Sequence, residues 1–371
     1  MKKESPIEFI RKKDYKFLEE IGQGGTGRTV LLQDELIDEL FVCKKYQPFY
    51  KEHTKLFFKY FIDEIKILHT IYHKNIVRVF NHYLYPDRNT GYILMEYIKG
   101  EIITDFLRVN LDKIEDIFLQ TIEGFRYLEE NNILHRDIRP ENILISDDGV
   151  VKIIDFGFSK NINFEEQTKS ISLNWRYTTP NEFTKNIYDN KTEIYFVGKL
   201  FEEILLDSEN VNFKFSALIS KMILPHEERY SSFFDIYRDS IKSTLSENEF
   251  TLEERKNYQF FANNLIELFS QMPYGTKYNS NLDEILKKLE ELYNNSILED
   301  NIQNNNKLTK IFINGKFSYY PKKQFSVSNL SSIIQLFKSN SDNKRKIILN
   351  NLWERFDKIE RYNHVDNDLP F

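Results

Sequence analysis

Six polar side chains with chemical potential stand within eight residues of each other. They are His135, Arg136, Asp137, Arg139, Glu141 and Asn142, in the stretch "ILHRDIRPENILI" at 133–145. Its two ends are apolar and shaped like buried strands. Burying a charge without a partner costs several kcal/mol, so this much polarity between apolar flanks calls for a reason. Asp155, in "IIDFG", follows Asp137 by 18 residues. It could simply be a strand end entering a turn. Three oxygen-bearing side chains at adjacent strand ends suit another task better. Asp155 and Asn142 can ligate magnesium, a hard cation that prefers oxygen. Asp137 is then left to orient a hydroxyl and accept its proton.

Two further groups could work beside them. Gly22, Gly24 and Gly27 spell G-x-G-x-x-G, with Gly25 as an extra glycine. Glycine lets backbone N–H groups approach a phosphate closely. A plain flexible hairpin explains the loop equally well, but "RTVLLQD" behind it reads as a strand, which argues against a dinucleotide-binding fold. Lys44 ends the strand "FVCK", 17 residues beyond Gly27. Glu64 lies among Phe61, Ile65 and Leu68, on the helix side that should face the protein, so it wants a cation, and Lys44 is the natural candidate. At about 4 Å and an effective dielectric near 20, such a pair attracts by roughly 4 kcal/mol. Desolvation can cancel that, so the pair would matter for positioning a phosphate more than for stability. "HTIYH" puts His69 and His73 at i and i+4, but no third metal ligand is evident nearby. Cys43 reads as a small packed side chain.

The elements that must position these residues change character along the chain. The first hundred residues read as a mainly antiparallel sheet with one long helix. The strands are "YKFLEEIGQ", "GRTVLLQD", "LFVCKKY", "NIVRVFNHYLYP" and "TGYILMEYI". The helix is 55–72, with Phe57, Phe61, Ile65, Leu68 and Tyr72 as its apolar stripe. After "MEYIKG" the pattern turns helical. Residues 112–131 carry Ile114, Ile117, Phe118, Ile122, Phe125 and Leu128 on one face, and "ILISDDGVVKIIDFG" forms two strands about an Asp-Gly turn. From about 246 a third region begins. Thr251 and Glu254 stand at capping-box spacing, and "NLDEILKKLEELYNN" is an amphipathic helix. "EDNIQNNNKLTK" reads as an Asn-rich linker, and "IFINGKFSYY" (311–320) as a hairpin about Asn314-Gly315. Two more helices close the chain.

Composition narrows the function. The 371 residues are 41% hydrophobic and 29% charged, as in an ordinary globular protein of two or three subdomains. A net charge of −6 argues against a general nucleic-acid or acidic-membrane binder. The single cysteine cannot form an internal disulfide. No apolar run reaches the roughly 18 residues of a membrane span, and the basic start lacks the apolar segment of a secretory signal. A cytoplasmic location is expected, with no nucleic-acid partner and no membrane span.

In order, the chain has "GQGGTG", "VCK", Glu64, "HKNIV", "LMEYI", "HRDIRPEN", "DFG", "YTTPNE", "EIYFVG" and "RYSSFFDI". Over roughly residues 15–243 it resembles a eukaryotic-type protein kinase with a serine/threonine-like catalytic loop. The resemblance implies an α+β bilobal kinase fold. It has a small β-rich N-lobe with one long helix (about 15–97) and a larger α-helical C-lobe (98–245). Residues 1–14 form an N-terminal segment, and 246–371 a mostly helical extension of unknown role, open to partner or regulatory contact. ATP and Mg2+ are the implied cofactors. Gly22, Gly24, Gly25 and Gly27 would cover the ATP phosphates, and Lys44, held by Glu64, would contact the α- and β-phosphates. Glu96 and Ile98 would offer backbone groups to adenine, with Met95 just behind. Asp137 would be the catalytic aspartate, with Asn142 and Asp155 holding magnesium and His135 and Phe156 supporting the site from within.

Four positions depart from the serine/threonine pattern. Arg139 stands where a lysine normally neutralises the γ-phosphate; it keeps the charge with a different reach and fork. In "YTTPNE", either Asn181 fills the usual Glu position or the segment shifts so that Glu182 pairs with Arg229. Asn174 replaces a common threonine near the substrate hydroxyl, and Glu193 replaces the aspartate that anchors the catalytic loop. Arg136 could receive a phosphate on Thr168, Ser170 or Ser172, an activating autophosphorylation. The reading is therefore a protein kinase acting on serine or threonine hydroxyls of an unspecified protein substrate. The alternative is a pseudokinase-type binding module acting through its C-terminal region.

Overall fold

The computed structural model describes residues 14–23, 27–47, 54–157, 159–161, 176–208, 213–243 and 250–362. The chain divides into two compact units, Met1–Tyr237 and Arg238–Phe371.

The first unit opens with β1 (Lys16–Gln23), β2 (Gly27–Asp34) and β3 (Glu39–Tyr46), then α1 (Thr54–Thr70), β4 (Val79–Tyr85) and β5 (Thr90–Glu96). The strands form one antiparallel sheet in the order β1-β2-β3-β5-β4. Phe58, Phe61 and Ile65 of α1 pack on Tyr46 of β3 and Ile93 of β5. The helical spacing of those residues is what turns Glu64 inward with them. Tyr72, expected on the same stripe, lies beyond the last turn and is 75% exposed.

Next come β6 (Gly100–Ile102), α2 (Ile103–Val109), α3 (Ile114–Glu130), β7 (Ile133–Leu134), β8 (Ile143–Ser146), β9 (Val151–Ile153) and β10 (Lys160–Asn161). The unit's helical part is completed by α4 (Asn190–Leu206), α5 (Ser216–Met222) and the start of α6 (Phe233–Ser243). All six apolar residues expected on the α3 face are buried. Each such side chain stabilises the fold by about 1.5–3 kcal/mol relative to exposure. Phe118 meets Phe201 and Phe213 edge-on and stacks on Phe215. β6, β8 and β9 make a small antiparallel sheet, with Gly149 at φ 74° in the expected Asp-Gly turn. These strands therefore hold the two ends of the stretch between Asp137 and Asp155. Thus a five-stranded sheet with one long helix precedes a larger helical part, the bilobal arrangement expected.

The second unit contains α7 (Leu252–Ile266), β11 (Phe269–Pro273), β12 (Lys277–Tyr278), α8 (Leu282–Asn294), α9 (Asn305–Phe312), β13 (Ile313–Asn314), β14 (Ser318–Tyr319), α10 (Val327–Ser339), α11 (Asp342–Phe356) and β15 (Arg361–Tyr362). Thr251 and Glu254 form the capping box of α7 reciprocally. Phe261, Leu265, Phe312, Leu330, Phe337, Trp353 and Phe356 fill the core.

Two expectations for this unit are corrected. The 311–320 hairpin does not form: β13 pairs with β12, and β14 with β11. An Asn-Gly hairpin turn needs positive φ at both central residues. Here Gly315 takes φ 128° while Asn314 does not enter that region. Ile311 and Phe312 instead end α9, with Ile311, Phe312 and Ile313 all buried. Part of the Asn-rich linker is likewise helical, because Asn304 caps α9 through its side chain and buried Asn305 donates to the Lys323 carbonyl at 2.6 Å. No helix of the described residues is long and apolar enough to cross a membrane.

Candidate active site

Lys44 sits in the sheet's middle strand, opposite Thr29 on one side and Ile93 on the other. Its Nζ donates to Glu64 Oε1 at 2.7 Å and to Asp155 Oδ1 at 2.8 Å. Lys44 and Glu64 are buried, whereas the Asp155 side chain is 44% exposed. Burial pulls the ammonium toward neutrality, but Asp155 and Glu64 outweigh it and hold Lys44 charged above its ordinary range. Burial raises Glu64 against the attraction of Lys44. Asp155 is held below the usual carboxylate range, chiefly by Lys44.

Asp155 follows β9 at φ 60°, a left-handed conformation that a non-glycine residue adopts at a cost of about 1–3 kcal/mol. The Gly157 N–H donates to its Oδ1 at 3.3 Å. A side chain at Gly157 would press on this group, since a Cβ there would lie 3.3 Å from Asp155 Oδ1 and 3.6 Å from Lys44 Nζ. Phe156 is buried and meets the His135 ring edge-on at 4.9 Å. His135 Nε2 lies 2.9 Å from the Ile154 carbonyl, and its Nδ1 accepts the Asp137 N–H at 3.3 Å.

Asn142 closes a 3₁₀ turn over Pro140–Asn142. Its Nδ2 donates to both the backbone oxygen and Oδ2 of Asp137, each at 2.8 Å. The amide oxygen of Asn142 is therefore the atom left to meet a cation. Ile154 N donates to Asn142 O at 2.9 Å, which ties this turn to the segment leading into Asp155. Burial pushes Asp137 above the usual carboxylate range, opposed by His135 and the Asn142 bond. Arg139 turns its Nε to Glu141 Oε2 at 2.8 Å.

The loop is anchored from α4. Glu193 accepts the N–H of His135 at 3.0 Å through Oε2 and that of Arg136 at 2.8 Å through Oε1. Here a glutamate occupies the position where the resemblance implies an aspartate. The Tyr188 hydroxyl donates to Glu193 Oε1 at 2.9 Å, and the Arg136 guanidinium lies over the Tyr188 ring. Arg136 itself takes φ 66°. Of the two alternatives for "YTTPNE", the structure adopts the shifted one: Glu182 Oε1 is 2.7 Å from Arg229 Nη1, both buried. Arg229 also donates to the carbonyls of Leu224 and Lys191.

The remaining candidates stand apart. Gly27 faces β3 so closely that a Cβ would collide with the Lys45 carbonyl, so strand packing alone requires a glycine there. Gly22 is exposed, and a Cβ there would make only an ordinary contact with Thr29 Cβ at 4.0 Å. Gly24 and Gly25 lie outside the described residues, as do Thr168, Ser170, Ser172 and Asn174. The Glu96 carboxylate accepts from Lys152 at 2.8 and 3.0 Å and from the Arg78 N–H at 2.8 Å, while Ile98 is half-buried just beyond β5. Among the described residues, Gly22, Gly27, Glu96 and Ile98 make no hydrogen bond to the Lys44, Asp137 and Asp155 group. His69 Nε2 lies 2.8 Å from His82 Nδ1, whereas His73 stacks on Tyr127, so the two histidines of "HTIYH" do not share a site. Tyr188 and Asn75 were not legible as part of the site. Asn75 is buried and donates to Val151 O and Gln120 Oε1, each at 3.0 Å. Neither residue carries a charge pattern or a periodicity that could have marked it.

The donor set fits a nucleotide with magnesium. It combines one carboxylate, one amide oxygen and one charged ammonium, and a hard cation commonly takes one or two protein oxygens with phosphate and water for the rest.

The sequence model of the protein kinase domain matches residues 15–345. A probable serine/threonine-protein kinase of Clostridium acetobutylicum is 31% identical over 51% of this chain and 29% of its own length. The probable serine/threonine-protein kinase MRK1 homolog of Encephalitozoon cuniculi is 31% identical over 52% of this chain and 60% of its own length. The serine/threonine-protein kinase pakA of Talaromyces marneffei is 28% identical over 52% of this chain and 30% of its own length. The chain thus spans between about three tenths and three fifths of the length of these relatives.

Proposed function

We propose, from the premise that this chain belongs to the protein kinase domain family, that it transfers the γ-phosphate of ATP to serine or threonine hydroxyls of proteins. The observation that carries this reading is the junction at Lys44, whose one ammonium holds both Glu64 and Asp155. It brings a phosphate-binding cation beside a metal-binding carboxylate.

The geometry supports the following roles. Lys44, oriented by Glu64, donates to the α- and β-phosphate oxygens. Asp155 and the Asn142 amide oxygen would hold magnesium, which would supply positive charge against the phosphates. Asp137, raised by burial, orients the substrate hydroxyl and accepts its proton. The hydroxyl oxygen forms the new P–O bond as the bond to the β-phosphate oxygen breaks and ADP leaves. Arg139 supplies positive charge beside the transferred group, once its Nε bond to Glu141 is accommodated.

The test is phosphate transfer from radiolabelled ATP with magnesium, to the chain itself and to a generic protein. The natural chain is compared with Asp137→Asn. Loss of a positioned base should lower transfer by about 10²–10⁴-fold. Equal labelling by both chains would overturn the assignment of Asp137, and no labelling by either would overturn the kinase reading. Autophosphorylation at Thr168, Ser170 or Ser172 belongs to the same proposal. Mass mapping of purified active enzyme with all three unmodified would remove it.

A further inference from the structure

A cluster of four charged groups adjoins the loop that carries Asp137, and the proposed transfer step uses only one of them. Glu141 lies on the 3₁₀ turn, four residues past Asp137. Its Oε2 accepts from Arg139, and its Oε1 is 3.5 Å from Arg176 Nη1. Glu203, on α4, takes the same arginine as a fork: Nη2 reaches Oε1 at 2.5 Å and Nε reaches Oε2 at 3.2 Å. The Tyr177 hydroxyl adds a third bond to Glu203 at 2.8 Å. Arg176 thus bridges carboxylates from two separate elements.

Two carboxylates that converge on one planar, five-donor fork make a recognition site for a guanidinium. Here the chain's own arginine fills it. The Arg176, Glu141 and Glu203 side chains are 43%, 40% and 28% exposed, so the cluster opens to solvent instead of lying in the core. Glu203 is held below its ordinary range, first by its bond to Arg176. Four residues of backbone span at most about 14 Å, so Glu141 lies within that reach of Asp137. An extended peptide whose hydroxyl rests at Asp137 carries the residues two to four positions away over a comparable distance.

We propose that Arg176 is a specificity-determining residue, a guanidinium supplied from within that excludes a basic side chain of the substrate from the Glu141 and Glu203 pair. The enzyme then selects against arginine two to four positions from the phosphorylated hydroxyl. This rests on the protein kinase reading above.

The experiment compares the natural chain with Arg176→Ala, Arg176→Lys and Arg176→Ala/Glu203→Gln. Each is offered serine peptides that carry arginine or alanine at every position within four of the hydroxyl. Phosphate transfer and peptide binding by fluorescence anisotropy are read in parallel. Arg176→Ala should gain about tenfold in preference for arginine at one or more of these positions. Arg176→Lys should gain less, because it keeps the charge without the fork, and the double variant should lose most of the gain. Unchanged preference in Arg176→Ala by both readouts overturns the proposal, as does a gain that survives Glu203→Gln in full. Absence of transfer by every variant, with the arginine gain present in binding, would overturn the kinase reading, and with it the proposed selection at the phosphorylated hydroxyl, while keeping Arg176 as the group that closes the Glu141 and Glu203 pair to a basic side chain.

Discussion

Glu182 and Arg229 meet at 2.7 Å with side chains only 3% and 1% exposed. The pair joins the segment after Pro180 to the stretch that leads into α6, and Thr192 Oγ1 lies 3.4 Å from the same Glu182 oxygen. Removing one partner leaves a buried charge uncompensated. Arg229→Met should therefore destabilise the first unit by about 3–5 kcal/mol, read as a lower urea midpoint. Replacing both residues by apolar ones of similar volume should recover most of that loss. If Arg229→Met keeps the natural midpoint, the pair has no structural weight.

Glu193 takes two backbone N–H groups from the loop that carries Asp137. Hydrogen bonds to a charged group contribute about 1.5–3 kcal/mol each. Glu193→Ala loses both and should lower kcat by about a hundredfold, with little change in KM for ATP. Glu193→Gln keeps one carbonyl acceptor and should lose about tenfold. Steady-state kinetics on both variants would check the order, and equal rates would contradict the anchoring role.

His73 reports on acid stability. Burial lowers its ring to about 4, and its Nδ1 accepts the Asn75 N–H, which only the neutral ring can do. A folded-state value below the unfolded one of about 6.5 means that the unfolded chain binds the extra proton first. The contribution is therefore complete above about 6.5 and lost as pH falls toward 4. His73→Gln should remove on the order of 2 kcal/mol of the stability loss across that window, allowing for the screening of a half-buried ring. Urea midpoints of both chains between pH 7 and 4 would show curves that converge as the pH falls. Parallel curves would contradict the assignment.

Cys43 should be chemically quiet. Burial pushes its thiol up to about 11, so at pH 8 almost none is thiolate. Iodoacetamide should label the folded chain far more slowly than the urea-unfolded chain. Equal rates by mass spectrometry would mean that the strand opens readily.

Much of this was legible in the residues. The link between Lys44 and Glu64 follows from a carboxylate set in an apolar helical stripe, because such a group must find a cation. The pairing of Glu182 with Arg229 was legible only as one of two alternatives, since Asn181 and Glu182 are adjacent and spacing cannot choose between them. The 311–320 hairpin misled because Asn-Gly is a local turn signal, whereas β12 and β11 compete for its two halves. Tyr188, Arg176 and Glu203 went unseen for a different reason. Their partners lie on other elements, and only the folded chain brings them together.

The junction at Lys44 also has a history in time. Its two carboxylate partners stand 20 and 111 residues away along the chain. A ribosome adding about 5–20 residues per second delivers Glu64 soon after Lys44, and Asp155 only about 5–20 s later still. Through that interval the emerging sheet and helix can hold two members of the junction and lack the third. The three-membered junction therefore cannot exist in a part-synthesised chain until Asp155, in the second half of the first unit, has emerged.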